Sequence, residues 1–111
     1  MRLIIKLSIS TIAIFVTAYI VPGVKIDSFV TAAVVAIVLG VLNIFVKPIL
    51  VILTLPINIL TLGLFMIVIN AFLVFIASLI VPGFSLSSVL SAIIFSLIFS
   101  LANSFLYSLA D

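Results

Sequence analysis

Few side chains in this sequence can do chemistry, and most of those sit in apolar surroundings. Asn43, Asn70 and Asn103 each interrupt a run of aliphatic residues, and Lys47 follows Asn43 by one helical turn. Serines recur at a related spacing, at Ser88, Ser96, Ser100 and Ser104. Amides and hydroxyls placed this way can hydrogen-bond a neighbour, hold a polar group or wet a channel. They do not supply general acid–base chemistry near neutral pH. His, Cys, Glu, Gln and Trp are absent, and both carboxylates, Asp27 and Asp111, lie outside the apolar runs. We therefore expect no catalytic, metal-binding or cofactor-binding set, and do not read the chain as an enzyme.

The elements that must carry these residues belong to a membrane. The chain has 111 residues, 68% of them hydrophobic and 5% charged. A soluble domain has about 25% charged residues, and this surface could not be kept apart from its neighbours in water. The net charge of +2 rests on Arg2, Lys6, Lys25 and Lys47 against the two aspartates, too little to argue for nucleic acid. The implied partner is the lipid bilayer.

Spanning hydrocarbon takes about 20 apolar residues in a helix, and the runs do not alternate as barrel strands would. Pro22-Gly23 and Pro82-Gly83 each end a run, and the long middle stretch breaks at Lys47-Pro48 and at Pro56. The expectation is an all-α polytopic protein with four transmembrane helices, at about 3–21, 29–46, 62–81 and 88–107. The segment between them is too short to cross and carries two prolines. A short interfacial or re-entrant helix over Ile49–Thr54 fits, Pro48 suiting a first turn; the alternative is a kinked extension of the second helix. The first run, behind Arg2 and Lys6, has no small-x-small cleavage site before Pro22 and is read as a span rather than a signal peptide.

The sequence repeats itself at an offset of 60 residues, so that Ile20-Val21-Pro22-Gly23 returns as Ile80-Val81-Pro82-Gly83. Phe15, Ser28, Ala32, Asn43 and Phe45 return as Phe75, Ser88, Ala92, Asn103 and Phe105. A single membrane domain over 1–111 follows, with repeat one at about 3–46, a connector at 47–61 and repeat two at about 62–107. Each unit has an even number of spans, so the two are parallel, related by an axis along the membrane normal.

Small residues recur every four positions, as Ser28, Ala32, Ala36 and Gly40 and again as Ser88, Ala92, Ser96 and Ser100. Residues four apart share a helix face, and small ones let backbones approach in lipid. The stripe is read as a helix–helix seam, within the chain or in a homo-oligomer; the sharper alternative is a polar pore lining. Asn43, Asn70 and Asn103 are read as interhelical hydrogen-bonding groups, with a permeation or ligand role as the alternative. Lys47 can snorkel toward the headgroups, where a lipid phosphate is an unspecific contact. Lys25 and Asp27 are read as solvated loop charges, and Tyr19 and Tyr107 as interfacial anchors. Arg2, Lys6 and Lys47 against Lys25 place both termini and the connector in the cytoplasm.

Certain motifs point to a known family. Asn43-x-x-x-Lys47-Pro48, Leu55-Pro56-x-x-x-Leu60-Thr61-Leu62-Gly63-Leu64-Phe65, Asn70 and Pro82-Gly83-Phe84 resemble the YvlD-like proteins, known as phage holin family 4 or mycobacterial four-span phage holins. The resemblance covers essentially the whole chain and singles out Pro48, Pro56, Thr61 and Gly63 beside the asparagines and Lys47. It implies a small bacterial inner-membrane protein. The holin label implies oligomeric lesions that admit a lytic enzyme to the cell wall, while the resemblance also links the family to envelope stress. The expected function is a non-lytic envelope component, with a lesion-forming holin as the alternative and a small channel or transporter behind it. A proton-coupled exporter lacks its intramembrane carboxylate here.

Overall fold

The computed structural model describes Arg2 to Ala110, the side chain of Ala110 excepted; Asp111 lies outside the described residues. The elements in order are α1 (Arg2–Ile20), β1 (Val24–Ile26), α2 (Phe29–Phe45), α3 (Lys47–Leu53), α4 (Leu55–Leu60), α5 (Phe65–Ile80), β2 (Phe84–Leu86) and α6 (Val89–Ala110). The four long helices form a ring in which α1 packs on α2 and α6, and α5 packs on α6 and α2. Among the described residues no Cα atoms of the diagonal pairs come within 8 Å of each other.

Burial runs opposite to that of a soluble bundle. The interior is built largely of small residues such as Ala13, Ala32, Ala36, Ala71 and Ala77, with Ile14, Val35, Leu73 and Phe95 filling the centre. The outside carries Leu, Ile, Val and Phe on every long helix. This arrangement suits lipid, where apolar side chains cost nothing outside and small ones permit close packing inside. Thr11, Thr17 and Ser96 are buried, and each returns its hydroxyl proton to a carbonyl one turn back: Leu7 at 2.7 Å, Ala13 at 2.6 Å and Ile93 at 2.9 Å. Their polar atoms therefore need no partner from another helix.

The expectation of helices alone omitted two short strands. β1 and β2 pair antiparallel, with Val24 opposite Leu86, Lys25 opposite Ser85 and Ile26 opposite Phe84. The Asp27 N–H donates to the Gly83 carbonyl at 3.0 Å, and the Ser87 N–H to the Gly23 carbonyl at 2.8 Å. The Pro-Gly turns make this possible. Gly23 and Gly83 have φ of 85° and 89°, where a side chain is strained. A Cβ on Gly23 would also overlap the Ser87 hydroxyl, and one on Gly83 the Asp27 carboxylate.

The middle of the chain is more broken than expected. α3 leaves α2 at a bend of 41°. Pro48 lacks the N–H that would bond the Ile44 carbonyl, and its ring pushes that carbonyl away. A further helix, α4, begins at Leu55 with Pro56 in its first turn. The following helix starts at Phe65 rather than near Leu62. Leu62 adopts φ 56° and Gly63 φ 87°, which ends α4. The Leu62 N–H reaches the Ile59 carbonyl at 3.2 Å and the Gly63 N–H the Asn58 carbonyl at 2.8 Å, the paired bonds of a Schellman cap.

Taken singly, α1 and α6 are long and apolar enough to cross a membrane; α2 with α3 qualifies as a bent pair, and α5 is a shorter apolar helix.

Candidate functional site

Asn43, Asn70 and Asn103, with Lys47, gather at the end of the ring away from the strands. On one side, between α1 and α6, Ser10 Oγ donates to Asn103 Oδ1 at 3.2 Å and lies 3.4 Å from the Tyr107 hydroxyl. Tyr107 is half-buried in this contact, whereas Tyr19 is 90% exposed at the other end. Of the two tyrosines expected as anchors, Tyr107 is thus engaged in a helix seam.

On the other side, between α2 and α5, the same positions lie open. Asn43, Lys47 and Asn70 line a cavity of about 180 Å³ with Asn103, Ser96, Ser100 and Ser104 of α6. Leu39, Leu73, Val74 and Phe99 complete it. Asn43 stands 60 positions before Asn103, Lys47 before Tyr107, and Ser10 before Asn70. Three repeat positions therefore zip one seam and line a cavity in the other. Among the described residues no side-chain hydrogen bond joins Asn43, Lys47 and Asn70 in the way that Ser10 joins Asn103. α1 and α6 touch along more of their length than α2 and α5 do.

The residues of the small-residue stripe divide into three groups. Ala32, Ala36, Ala92 and Ser96 are buried in the bundle. Ser28 and Ser88 are exposed and cap α2 and α6, each accepting a backbone N–H three residues on, from Thr31 and from Ser91, at 3.2 Å. A cap position satisfies a free donor of the first turn, so these two do not act as seam residues. Gly40 is half-buried, and a Cβ placed on it would meet nothing within 4 Å. It does not serve close approach. Ser100 lines the cavity and is otherwise exposed.

The motif residues build the connector. Pro48 and Pro56 start α3 and α4. Thr61 Oγ1 donates to the Ile57 carbonyl at 2.9 Å and accepts the Phe65 N–H at 3.3 Å, so one hydroxyl joins the end of α4 to the start of α5. Gly63 supplies the positive φ of the reversal. Asn58, which sequence reasoning missed, is 9% exposed; its Nδ2 donates to Thr54 Oγ1 at 3.1 Å while Oδ1 has no partner among the described residues. Its one signal in the sequence was an amide in the apolar connector, set four residues after Thr54.

A helical ring with lipid-suited outer faces and a polar cavity open at one end defines a multi-pass membrane protein. Over residues 1–105 the chain matches the family described as "Mycobacterial 4 TMS phage holin, superfamily IV", and it belongs to that family. It is 33% identical over 97 residues to "Uncharacterized membrane protein YvlD" of Bacillus subtilis (strain 168), an alignment covering 86% of this chain and 82% of that one. It is 40% identical over 88 residues to "Uncharacterized protein SCO3922" of Streptomyces coelicolor, covering 72% of this chain and 70% of that one. No solved structure matches.

Proposed function

We propose that this protein is a closed, non-lytic component of the bacterial inner membrane. It crosses the bilayer four times, by α1, by α2 with the bent α3, by α5 and by α6, as two parallel two-helix repeats in one domain about a pseudo-twofold axis. The connector at 47–61 lies at the cytoplasmic face as an interfacial or re-entrant segment, and both termini lie on that side. The antiparallel pairing of Lys25 with Ser85 supports the axis, since a twofold brings equivalent residues face to face.

The single observation that carries the non-lytic reading is the direction of the α6 stripe. A lesion wide enough for a folded enzyme needs walls that water wets. Here Ser96 is buried, Asn103 is half-buried, and the exposed Ser100 and Ser104 open onto a cavity within one chain, while the lipid-side faces of α1, α2, α5 and α6 carry residues such as Val16, Ile37, Phe72 and Leu101. The family description favours the second reading, an oligomeric lesion. The two are separated by co-expression with a cytoplasmic endolysin that lacks its own holin. We expect no lysis and a normal membrane potential. Abrupt lysis at modest expression, abolished by Ser96→Leu with Ser100→Leu, would decide for the lesion.

A further inference from the structure

We propose that the cavity between α2, α5 and α6 is a binding site for a phosphate-type oxyanion. Its one charged group is a cation. Lys47 brings a cation, Asn43 and Asn70 bring amide N–H groups, and Ser100 and Ser104 bring hydroxyls. Asn103 contributes its NH2, because Ser10 already occupies its Oδ1. Asp27, the sole carboxylate among the described residues, lies in the strand hairpin at the far end of α2. Among the described residues a cation there would meet an ammonium with no carboxylate beside it, whereas an oxyanion would accept charge-assisted hydrogen bonds. The volume of about 180 Å³ holds several waters or one tetrahedral oxyanion with its ester substituents.

The fold does not force this cavity open. At the equivalent positions Ser10, Asn103 and Tyr107 close the α1–α6 seam with uncharged partners. Placing Asn where the twin has Ser, and Lys where it has Tyr, leaves amides and a charge that have no complement in the seam. Asn43 is exposed and Lys47 and Asn70 are half-buried, so an anion entering from the open side can supply that complement. A lipid headgroup and a free phosphate share the required chemistry. The site rests on the closed bundle, and the two fail separately: lysis sinks the bundle, and loss of anion binding sinks the site alone.

The test uses the full chain in dodecyl maltoside, following the unfolding midpoint. The probes are inorganic phosphate, against sodium chloride of equal ionic strength, and dioleoylphosphatidylglycerol, against dioleoylglycerol. We expect at least one phosphate probe to raise the midpoint beyond its control. A response to phosphatidylglycerol alone identifies a lipid source, and a response to inorganic phosphate a soluble one. The apparent affinity should fall about tenfold or more in Lys47→Gln, as loss of a charged hydrogen-bond donor implies. It should be unchanged in Lys6→Gln, a cation exposed on α1. The double variant Lys47→Tyr with Asn70→Ser copies the closed seam, so it should fold and lose the response even where Lys47→Gln unfolds. No rise beyond the controls, or an equal rise in the Lys47 variants, would overturn the site.

Discussion

Lys25 stands opposite Ser85 in the strand pair, and each is the other's counterpart at the 60-residue offset of the repeat. The flanking bonds, Asp27 to Gly83 and Ser87 to Gly23, are one bond written twice. The two equivalent loops thus hold each other through matched backbone bonds. The Ser91 hydroxyl adds a bond to the Pro22 carbonyl at 3.3 Å, tying α6 directly to the first turn.

The strand pairing is checked by cross-linking. Directly opposed residues have Cα atoms about 4.5–5.5 Å apart, within disulfide range. Lys25→Cys with Ser85→Cys should form an intramolecular disulfide on mild oxidation. A reduced monomer under the same conditions would mean that the hairpins do not pair.

Sidedness follows from the same geometry. Single cysteines at Lys47 and Ser87 should label with an impermeant reagent from opposite faces of the inner membrane, Ser87 from outside intact cells. Equal labelling from outside would sink the four-crossing topology.

The turn glycines and the helix glycine should respond in opposite directions. Gly23→Ala and Gly83→Ala should each destabilise by about 1–2 kcal/mol for the left-handed backbone alone, with more for the overlap at Ser87 and Asp27. Gly40→Ala should be neutral or stabilise by up to about 1 kcal/mol, because alanine favours the helix and the space is open. Unfolding midpoints in detergent measure all three.

Leu62 holds a left-handed φ of 56° with no glycine to excuse it and is 93% exposed, so its side chain gains little to offset the strain. Leu62→Gly should stabilise the native state by about 1 kcal/mol in detergent. A loss of stability would mean that Leu62 anchors the connector through contacts with lipid.

The repeats also differ in an aromatic pair. Phe15 and Phe29 meet edge-to-face at 5.6 Å. Phe75 has Val89 in place of the second ring, and the two line an apolar groove of about 660 Å³. Val89→Phe should restore the pair and raise stability by about 0.5–1.5 kcal/mol. An unchanged midpoint would show that the ring turns to lipid instead.

Much of the ring was legible because Pro-Gly punctuation, apolar runs and the repeat all act locally. Three-residue strands were not, since Val24–Ile26 and Phe84–Leu86 are too short to show alternation and pair across 60 positions. The turn at Leu62 hid because leucine carries no signal for a left-handed backbone. Ser28 and Ser88 were misread as seam residues although each begins a helix, where a hydroxyl serves the backbone first. Which asparagine would be bonded across a seam could not be read from the asparagines themselves. Asn43 and Asn103 are identical, and the difference lies in their partners Asn70 and Ser10.

The strand pair also sets a clock on assembly. β1 emerges from the ribosome 60 residues ahead of β2. At about 5–20 residues per second, its edge waits about 3–12 s for its partner. During that interval the first two helices are already made, and their loop offers backbone donors and acceptors to any matching hairpin. In a crowded membrane the nearest match is the second hairpin of a neighbouring, finished copy. Slowing synthesis between the repeats would therefore favour exchanged dimers, and speeding it would favour the self-contained chain.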